Sequence, residues 1–410
     1  MEGYLPFLGV LLALLAGLAI GKAWERYKLS DGRLIDRRRA RQSPHFILGL
    51  NHLVSQQTDL AIVELEKAAA VDPTALEIHL VLGNLYREKG QVGRAIQEHQ
   101  ALLQRPRMRP LEHANVLLCL GLDYRKGGFV DRAVEAFTEV LRLDPSNEAA
   151  LLNLEKLQEE QHQWQEAYVT RTRLGALVEG KEQERSQLIL AFLENELGLQ
   201  ALKQKDFAEA SRRFEAAIDH DQTVVPAYLN LGDVRCLEGN PAAAAEIWER
   251  MIKAAPDRSY LAFQRLESIY PKLDAPERFP ALCRRIIDAQ PLEWRARLAL
   301  ASHMSGHGRS HEAIELLFEA LVNNPHALAI HQTIWNTLSA LGLPQDLVGR
   351  YVDITRESVF YLDPHVCMRC RYRSTELLWQ CPHCHEWNTF IEERISPARE
   401  ADEVPTGLMR

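Results

Sequence analysis

The feature of this chain that most constrains its fold is a period of thirty-four residues in its central part. Gly49 and Gly83 are thirty-four residues apart, and so are Gly198 and Gly232. An alanine follows twelve residues after each of these glycines, at Ala61, Ala95, Ala210 and Ala244. One short unit cannot bury its own apolar face, so this period predicts a stack of similar units rather than a single closed core.

Prolines mark the ends of several units. Pro73, Pro145 and Pro256 each lie twenty-four residues after the glycine of their unit, and proline cannot continue a helix. The pattern resembles the tetratricopeptide repeat, which has two helices per unit. We expect about eight or nine units over residues 45–355, with irregular structure in the proline-rich stretch at 269–283. Stacks of this kind curve and commonly hold a peptide or protein segment on the concave face.

The first part of the chain has the composition of a membrane anchor. Nineteen residues from Gly3 to Gly21 carry no charge, and about twenty helical residues cross the hydrocarbon core of a bilayer. A cleaved secretory signal is the alternative, but it would begin with positive charge, whereas Glu2 precedes this run and the basic residues follow it. We therefore expect a transmembrane anchor over residues 1–24 and a basic juxtamembrane linker over 25–44. By the positive-inside rule, the rest of the chain would be cytoplasmic.

Charge is distributed unevenly along the chain. From Lys22 to Arg41 there are eight basic and three acidic residues, a sum of +5. With Glu2 the first 41 residues carry +4, so the remainder carries −12 of the total of −8. An acidic body argues against a nucleic-acid binder, because phosphate contacts need clustered lysine and arginine. The basic segment either sets topology alone or also binds anionic lipid head groups.

Motifs typical of enzymes are missing from the sequence. We find no nucleophile elbow, phosphate-binding loop or His-Glu-x-x-His zinc motif, and we expect no enzymatic activity. Scattered histidines are interpreted as surface or packing residues, and three cysteines as buried apolar side chains. These residues are His79, His99, His220 and His331, and Cys119, Cys236 and Cys283.

The other four of the seven cysteines fall within eighteen residues: Cys367, Cys370, Cys381 and Cys384. They form two Cys-x-x-Cys pairs separated by ten residues, and each pair can direct two sulfurs to one metal ion. Four thiolates select zinc or iron. Two disulfides or a dithiol pair without metal are the alternatives, which a reducing cytoplasm disfavours.

We expect the metal to replace a hydrophobic core in a domain over residues 356–395, because so short a segment cannot build one. The stretch TELLWQ, residues 375–380, is expected to form a strand in a hairpin that brings the pairs together. Four aromatic residues are expected to pack as core, with covering the metal site or docking the domain on the last helices as the alternatives: Tyr372, Trp379, Trp387 and Phe390. The composition of residues 396–410 predicts a flexible tail.

The order of anchor, repeats and cysteine pairs resembles the lipopolysaccharide assembly protein B family of Gram-negative bacteria. The most specific segment is LLWQCPHCHEWNTF, which is similar to the rubredoxin-like end of that family. The resemblance implies an all-α tetratricopeptide-repeat superhelix with an N-terminal transmembrane helix and a small C-terminal rubredoxin-like metal knuckle domain packed on the array. It also implies one iron or zinc ion held by Cys367, Cys370, Cys381 and Cys384.

The same resemblance implies a function. Members of the family are single-pass inner-membrane adaptors whose bulk faces the cytoplasm. They promote proteolysis of the UDP-acyl-GlcNAc deacetylase by a membrane-bound AAA+ metalloprotease, and thereby restrain lipid A synthesis. The implied partners are this protease, this deacetylase, other lipopolysaccharide assembly or export proteins, and the membrane; no nucleic-acid partner is expected.

Alternatives to the adaptor remain open at this point. A Cys₄ iron site suits a rubredoxin-type electron-transfer protein, the array suits a general peptide-binding scaffold at the membrane, and three arginines near the first pair suit a zinc-ribbon nucleic-acid binder.

One departure from rubredoxin-like knuckles concerns the residue after the second cysteine of each pair. Glycine is usual there because positive φ is convenient, but this chain has Arg371 and His385.

Overall fold

The computed structural model describes residues 43–106, 108–355 and 365–393. The predicted anchor, the basic linker up to residue 42 and the predicted tail lie outside the described residues, as does the start of the predicted metal-binding domain. Within the described ranges, none of the helices combines the length and apolar character that crossing a bilayer requires.

The chain divides between Gln161 and His162 into two compact units. The first unit contains three helix pairs followed by a single helix, α7. Its helices are α1 Pro44–Val54, α2 Thr58–Val71, α3 Leu76–Glu88, α4 Val92–Leu103, α5 Pro110–Lys126, α6 Val130–Leu143 and α7 Glu148–Glu160.

The second unit begins with a single helix, α8, and continues with helix pairs and a small sheet. Its helices are α8 Trp164–Gly175, α9 Lys181–Lys203, α10 Phe207–His220, α11 Val225–Leu237, α12 Pro241–Ala254, α13 Phe263–Ile269, α14 Arg278–Ala289, α15 Trp294–Gly306, α16 Ser310–Asn323, α17 Leu328–Ala340 and α18 Gln345–Thr355. Two 3₁₀ helices, Pro256–Ala262 and Tyr270–Leu273, flank α13. The proline-rich stretch is thus irregular only before Arg278, where a regular helix begins. The mostly helical tetratricopeptide-repeat fold is confirmed.

Glycines in the first helix of several pairs allow a ring from the second helix to lie against the backbone. Each ring follows its glycine by sixteen residues. An added Cβ atom at these glycines would lie between 2.2 and 2.6 Å from a ring atom, which is closer than any real contact. The pairs are Gly83 with His99, Gly121 with Phe137, Gly198 with Phe214, and Gly232 with Trp248.

We expect Gly232→Ala to lower the free energy of unfolding by about 1–3 kcal/mol, because the new methyl group overpacks the contact with the Trp248 indole. Thermal denaturation followed by circular dichroism measures the effect. Gly349→Ala is the matched control, since nothing lies within 4 Å of its added Cβ atom in α18. The control should be neutral or stabilised by up to about 1 kcal/mol, and equal melting of both variants would contradict the role of the close approach.

His99 occupies the ring position of its unit with a polar side chain. Its imidazole Nδ1 is hydrogen-bonded to the Asp123 carboxylate, and both side chains are fully buried. Arg87 donates to the other oxygen of Asp123 at 2.8 Å. These contacts connect α3, α4 and α5, so the interpretation of His99 as a packing residue is correct. Every member of the network finds a partner, as buried polar groups require.

Residues 365–393, called the knuckle module below, contain a three-stranded antiparallel sheet in the order β2-β1-β3. The strands are β1 His365–Cys367, β2 Arg373–Ser374 and β3 Phe390–Glu392. The predicted strand at 375–380 is wrong: only Gln380 of this stretch pairs, through an isolated bridge to Trp387. β1 pairs with β2 around the first Cys-x-x-Cys turn, the isolated bridge closes the second turn, and β3 pairs with β1 from beyond both turns.

Candidate metal centre

Each cysteine pair lies in a tight turn closed by two backbone hydrogen bonds. In the first turn the Cys367 amide donates to Tyr372 O at 2.9 Å, and the Arg371 amide donates to Cys367 O at 2.9 Å. In the second turn the Cys381 amide donates to Glu386 O at 2.9 Å, and the His385 amide donates to Cys381 O at 2.8 Å. The two turns therefore have the same bonding pattern, and each presents its two sulfurs on one side.

The structure brings all four predicted cysteines together, with their sulfurs within 4.8 Å of one another. Sγ of Cys367 lies 3.7 Å from Sγ of Cys384, and Sγ of Cys370 lies 3.6 Å from Sγ of Cys381. Four sulfurs arranged as a tetrahedron around one zinc ion at about 2.3 Å would be about 3.8 Å apart. A disulfide would need about 2.05 Å. The spacing therefore fits one metal ion and excludes two disulfides.

Among the described residues, this is the one cluster of three or more His, Cys, Asp or Glu side chains that could hold a metal. Four thiols select zinc or iron; which of these the site takes, and the ligand role of each cysteine, stay predictions. Of the remaining cysteines, Cys119 and Cys283 are buried as expected. Cys236 is only partly buried, which corrects its interpretation as a core residue.

The thiols differ in how readily they ionise. Burial opposes ionisation of Cys367, but hydrogen bonds from the Thr389 hydroxyl and two backbone amides of its turn outweigh burial and lower its pKa to about 6. Burial and the neighbouring thiols, Cys370 first among them, raise the pKa of Cys384 to about 12. Burial also raises the pKa of Cys381. The lowered pKa of Cys367 favours its thiolate, whereas the raised pKa values of Cys381 and Cys384 oppose theirs. A bound cation overcomes that opposition, because it deprotonates its thiol ligands.

The two turns adopt the knuckle conformation without glycine. Arg371 has φ of 64° and His385 has φ of 55°, the left-handed region in which glycine is favoured. Both occupy the same position in their turns, directly after the second cysteine. The departure noted in the sequence therefore does not change the turn; it leaves two strained residues beside the cysteines.

We expect Arg371→Gly to stabilise the knuckle module by about 0.5–1 kcal/mol, because glycine relieves left-handed strain and loses only part of that gain to its greater freedom when unfolded. The measurement is the rate at which a chelator removes the metal, which should fall. Met368→Gly serves as the control. Met368 is an exposed residue of the same turn with an ordinary φ, so this glycine should speed metal loss. Faster loss from Arg371→Gly would contradict the argument.

Two tryptophans of the knuckle module pack on the helices of the second unit. The ring of Trp387 is stacked on Phe192 of α9, with centroids 5.1 Å apart and an interplanar angle of 18°, and it meets Trp164 of α8 edge-on at 6.3 Å. Trp379 lies against the same Phe192 at 6.2 Å. The predicted docking is thus observed, but its aromatic contacts are with α8 and α9, not with the last helices.

The other two aromatic residues behave differently from each other. Phe390 is buried beside Cys367 and Cys381 in the small core of the module. Tyr372 is 41% exposed and stacks on His383 of the same module with centroids 6.4 Å apart. The prediction that Tyr372 packs as core is therefore wrong.

Three arginines from separate repeats also contact the knuckle module. The sequence analysis did not predict these contacts. Arg185 of α9 donates to the Glu386 carboxylate at 2.6 Å, Arg258 of the first 3₁₀ helix donates to Phe390 O at 3.2 Å, and Arg295 of α15 donates to the Glu392 carboxylate. The Glu386 side chain is nearly inaccessible to solvent and also lies 3.5 Å from Arg369 of the module. Loss of Arg185 would therefore leave a largely buried charge with only its more distant partner. The module therefore bridges three repeats and fixes their spacing.

Comparisons with known proteins agree with this description. A family model described as a rubredoxin metal binding domain matches residues 365–392. Models described as tetratricopeptide repeats match residues 201–266, 48–110 and 119–167. A crystal structure of YrrB, described as a tetratricopeptide-repeat protein with an unusual peptide-binding site, is 18% identical; the match covers 47% of this chain and 93% of that chain, with a TM-score of 0.34.

Two curated relatives match almost end to end. Lipopolysaccharide assembly protein B of Escherichia coli strain K12 is 26% identical over 394 residues, which is 96% of this chain and 99% of the relative. The protein of the same name from Haemophilus influenzae is 25% identical over 393 residues, 92% of this chain and 97% of the relative. The repeats, the cysteine cluster and the near-complete coverage support one conclusion: over almost its whole length, the chain resembles the lipopolysaccharide assembly protein B family.

Proposed function

We propose that this protein is a non-enzymatic adaptor of lipopolysaccharide assembly, anchored in the inner membrane by its N-terminal segment with its bulk in the cytoplasm. In this proposal it presents the UDP-acyl-GlcNAc deacetylase to a membrane-bound AAA+ metalloprotease. The observation that carries the proposal is the docking of the knuckle module on repeats of the second unit through Trp387 and three arginines. The name that both relatives carry supports a role in lipopolysaccharide assembly.

The docked module suits a binding role rather than a catalytic one. The four cysteines supply all the ligands of a tetrahedral site, and such closed sites have no open position for a substrate. The bound metal would supply folding free energy to the module. The module in turn sets the spacing of α9, the first 3₁₀ helix and α15 through Arg185, Arg258 and Arg295. A repeat stack held in one shape offers a preorganised surface, which lowers the entropic cost of gripping a partner.

Membrane attachment would raise the local concentration of the partners. Both the protease and the adaptor would be confined to the same bilayer, so their encounter becomes effectively intramolecular without any new contact. The apolar run from Gly3 to Gly21 and the basic residues that follow it support this arrangement.

Crosslinking in native membranes followed by affinity purification and mass spectrometry tests the proposal. We expect the protease and the deacetylase to co-purify with the full chain, and the half-life of the deacetylase to lengthen several-fold when the gene is deleted. A variant with Cys381→Ser, at unchanged abundance, should lose the partners, whereas Cys236→Ser should retain them. Recovery of neither partner, together with an unchanged half-life of the deacetylase, would refute the adaptor role.

A further inference from the structure

The first helix of the array exposes an apolar face. Val54 is 86% exposed, Ile47 51% and Leu50 39%, and their spacing of three and four residues places them on one side of α1. Leu48 beside them is also exposed, and α2 adds exposed Leu60 and Val63. The opposite side of α1 is buried against α2 around Gly49, whose added Cβ atom would lie 2.7 Å from Leu65. The exposed apolar side chains of α1 therefore lie outside the packing contact between α1 and α2.

The composition of α1 is unusual for the end of a repeat stack. End repeats normally present a polar outer face to water, yet α1 contains no Asp, Glu, Lys or Arg in its eleven residues. Among the described helices only α17 shares this property. An exposed apolar surface of this kind marks a contact with a membrane or another protein.

The sequence immediately before α1 indicates what covers this face. Four arginines, Arg37, Arg38, Arg39 and Arg41, precede Pro44, the first residue of the helix. The uncharged run from Gly3 to Gly21 ends sixteen residues before Arg37. Basic residues next to an apolar helical face are the composition of a segment that lies in the interface of an anionic bilayer.

We propose that α1 docks on the surface of the membrane, with Ile47, Leu50 and Val54 in contact with lipid and the preceding arginines on anionic head groups. This inference rests on the membrane anchorage in the proposed function and adds a second contact that would orient the array against the bilayer. A second copy of this chain is the competing occupant. Each copy carries four arginines directly before α1, and like charges on two copies repel.

Site-specific photocrosslinking in the full chain tests this contact. A benzophenone amino acid replaces Val54 in one variant and Leu237 in the control, which is 64% exposed at the end of α11. Each variant is reconstituted into nanodiscs of phosphatidylethanolamine and phosphatidylglycerol, irradiated, and analysed by intact-protein mass spectrometry. We expect a phospholipid adduct at position 54 several-fold more often than at position 237. Its yield should fall when phosphatidylcholine replaces phosphatidylglycerol.

Each other outcome overturns the proposal. Equal lipid adducts at both positions mean that α1 does not lie on the bilayer, and a product of twice the chain mass at position 54 assigns the face to a second copy. Repeating the experiment at Ile47 guards against misfolding of one variant. Alkaline extraction reports separately on anchorage, and co-purification of the deacetylase and protease reports on the adaptor role, so failure of either is distinguishable from failure of α1 docking.

Discussion

Cys381→Ser is expected to remove the metal from the protein and to unfold the knuckle module while the helix pairs stay folded. Cys381 is fully buried, and its sulfur lies 3.6 Å from that of Cys370. With one thiolate replaced, a tetrahedral site loses a ligand that serine cannot match. The three residues of β1 and the two of β2 cannot supply a core of their own, so the module depends on the metal. Binding of a structural zinc contributes about 10 kcal/mol or more to folding in modules of this size.

Three measurements check this expectation. Elemental analysis should find one metal ion per chain in the unmodified protein and a loss of most of it in the variant. Far-ultraviolet circular dichroism should change little, because helices dominate the signal. Tryptophan fluorescence should shift to longer wavelength, because Trp379 and Trp387 become exposed. Cys236→Ser removes a partly buried thiol outside the cluster and should alter none of these signals.

A metal content of one ion per chain in Cys381→Ser would contradict the assignment of this cysteine as a ligand. The identity of the ion in natively purified protein separates two functions. Zinc has no redox chemistry and fits a structural module, whereas iron with a reversible potential would favour the electron-transfer alternative.

The helical part of the fold was predictable because several repeats place a glycine and an alanine twelve residues apart and a proline near the end of the unit. The twelve-residue spacing from Gly232 to Ala244 suggested the helix crossing. The sixteen-residue spacing to Trp248 is the contact that explains the glycine, and it could have been found from the sequence. At His99 the ring is a polar imidazole instead of a phenyl or indole group, so its buried hydrogen bond to Asp123 was not predicted.

The knuckle module was predictable in its chemistry but not in its detail. Cysteine spacing indicated the cluster, since ligand geometry is local. The strand predicted at TELLWQ failed because two turns, not a hairpin between them, organise the short strands. The docking contacts could not be predicted for another reason: Arg185 and Glu386 are 201 residues apart in the sequence, and Arg295 and Glu392 are 97 apart. Contacts at such distances leave no periodic signal in one sequence.

Trp387→Ala is expected to detach the knuckle module from the second unit without removing its metal. Trp387 is buried between Phe192 and Trp164, and truncation of a buried aromatic side chain costs about 3–5 kcal/mol. The indole is not a metal ligand, and Trp387 also forms an isolated backbone bridge to Gln380, which alanine preserves. Loss of the indole also weakens the Arg185–Glu386 pair, since water then reaches a charge that was shielded.

Hydrogen exchange separates detachment from unfolding. In Trp387→Ala the amides of α8 and α9 should lose protection while metal content stays at one ion per chain. Tyr372→Ala is the matched control, because the ring contacts of Tyr372 are with His383 and Phe390 inside the module; exchange in α8 and α9 should then be unchanged. If Trp387→Ala lost its metal, the tryptophan would belong to the core of the module. If exchange in α8 and α9 did not change, the three arginines would hold the module in place without it, and the aromatic contact would contribute little to docking.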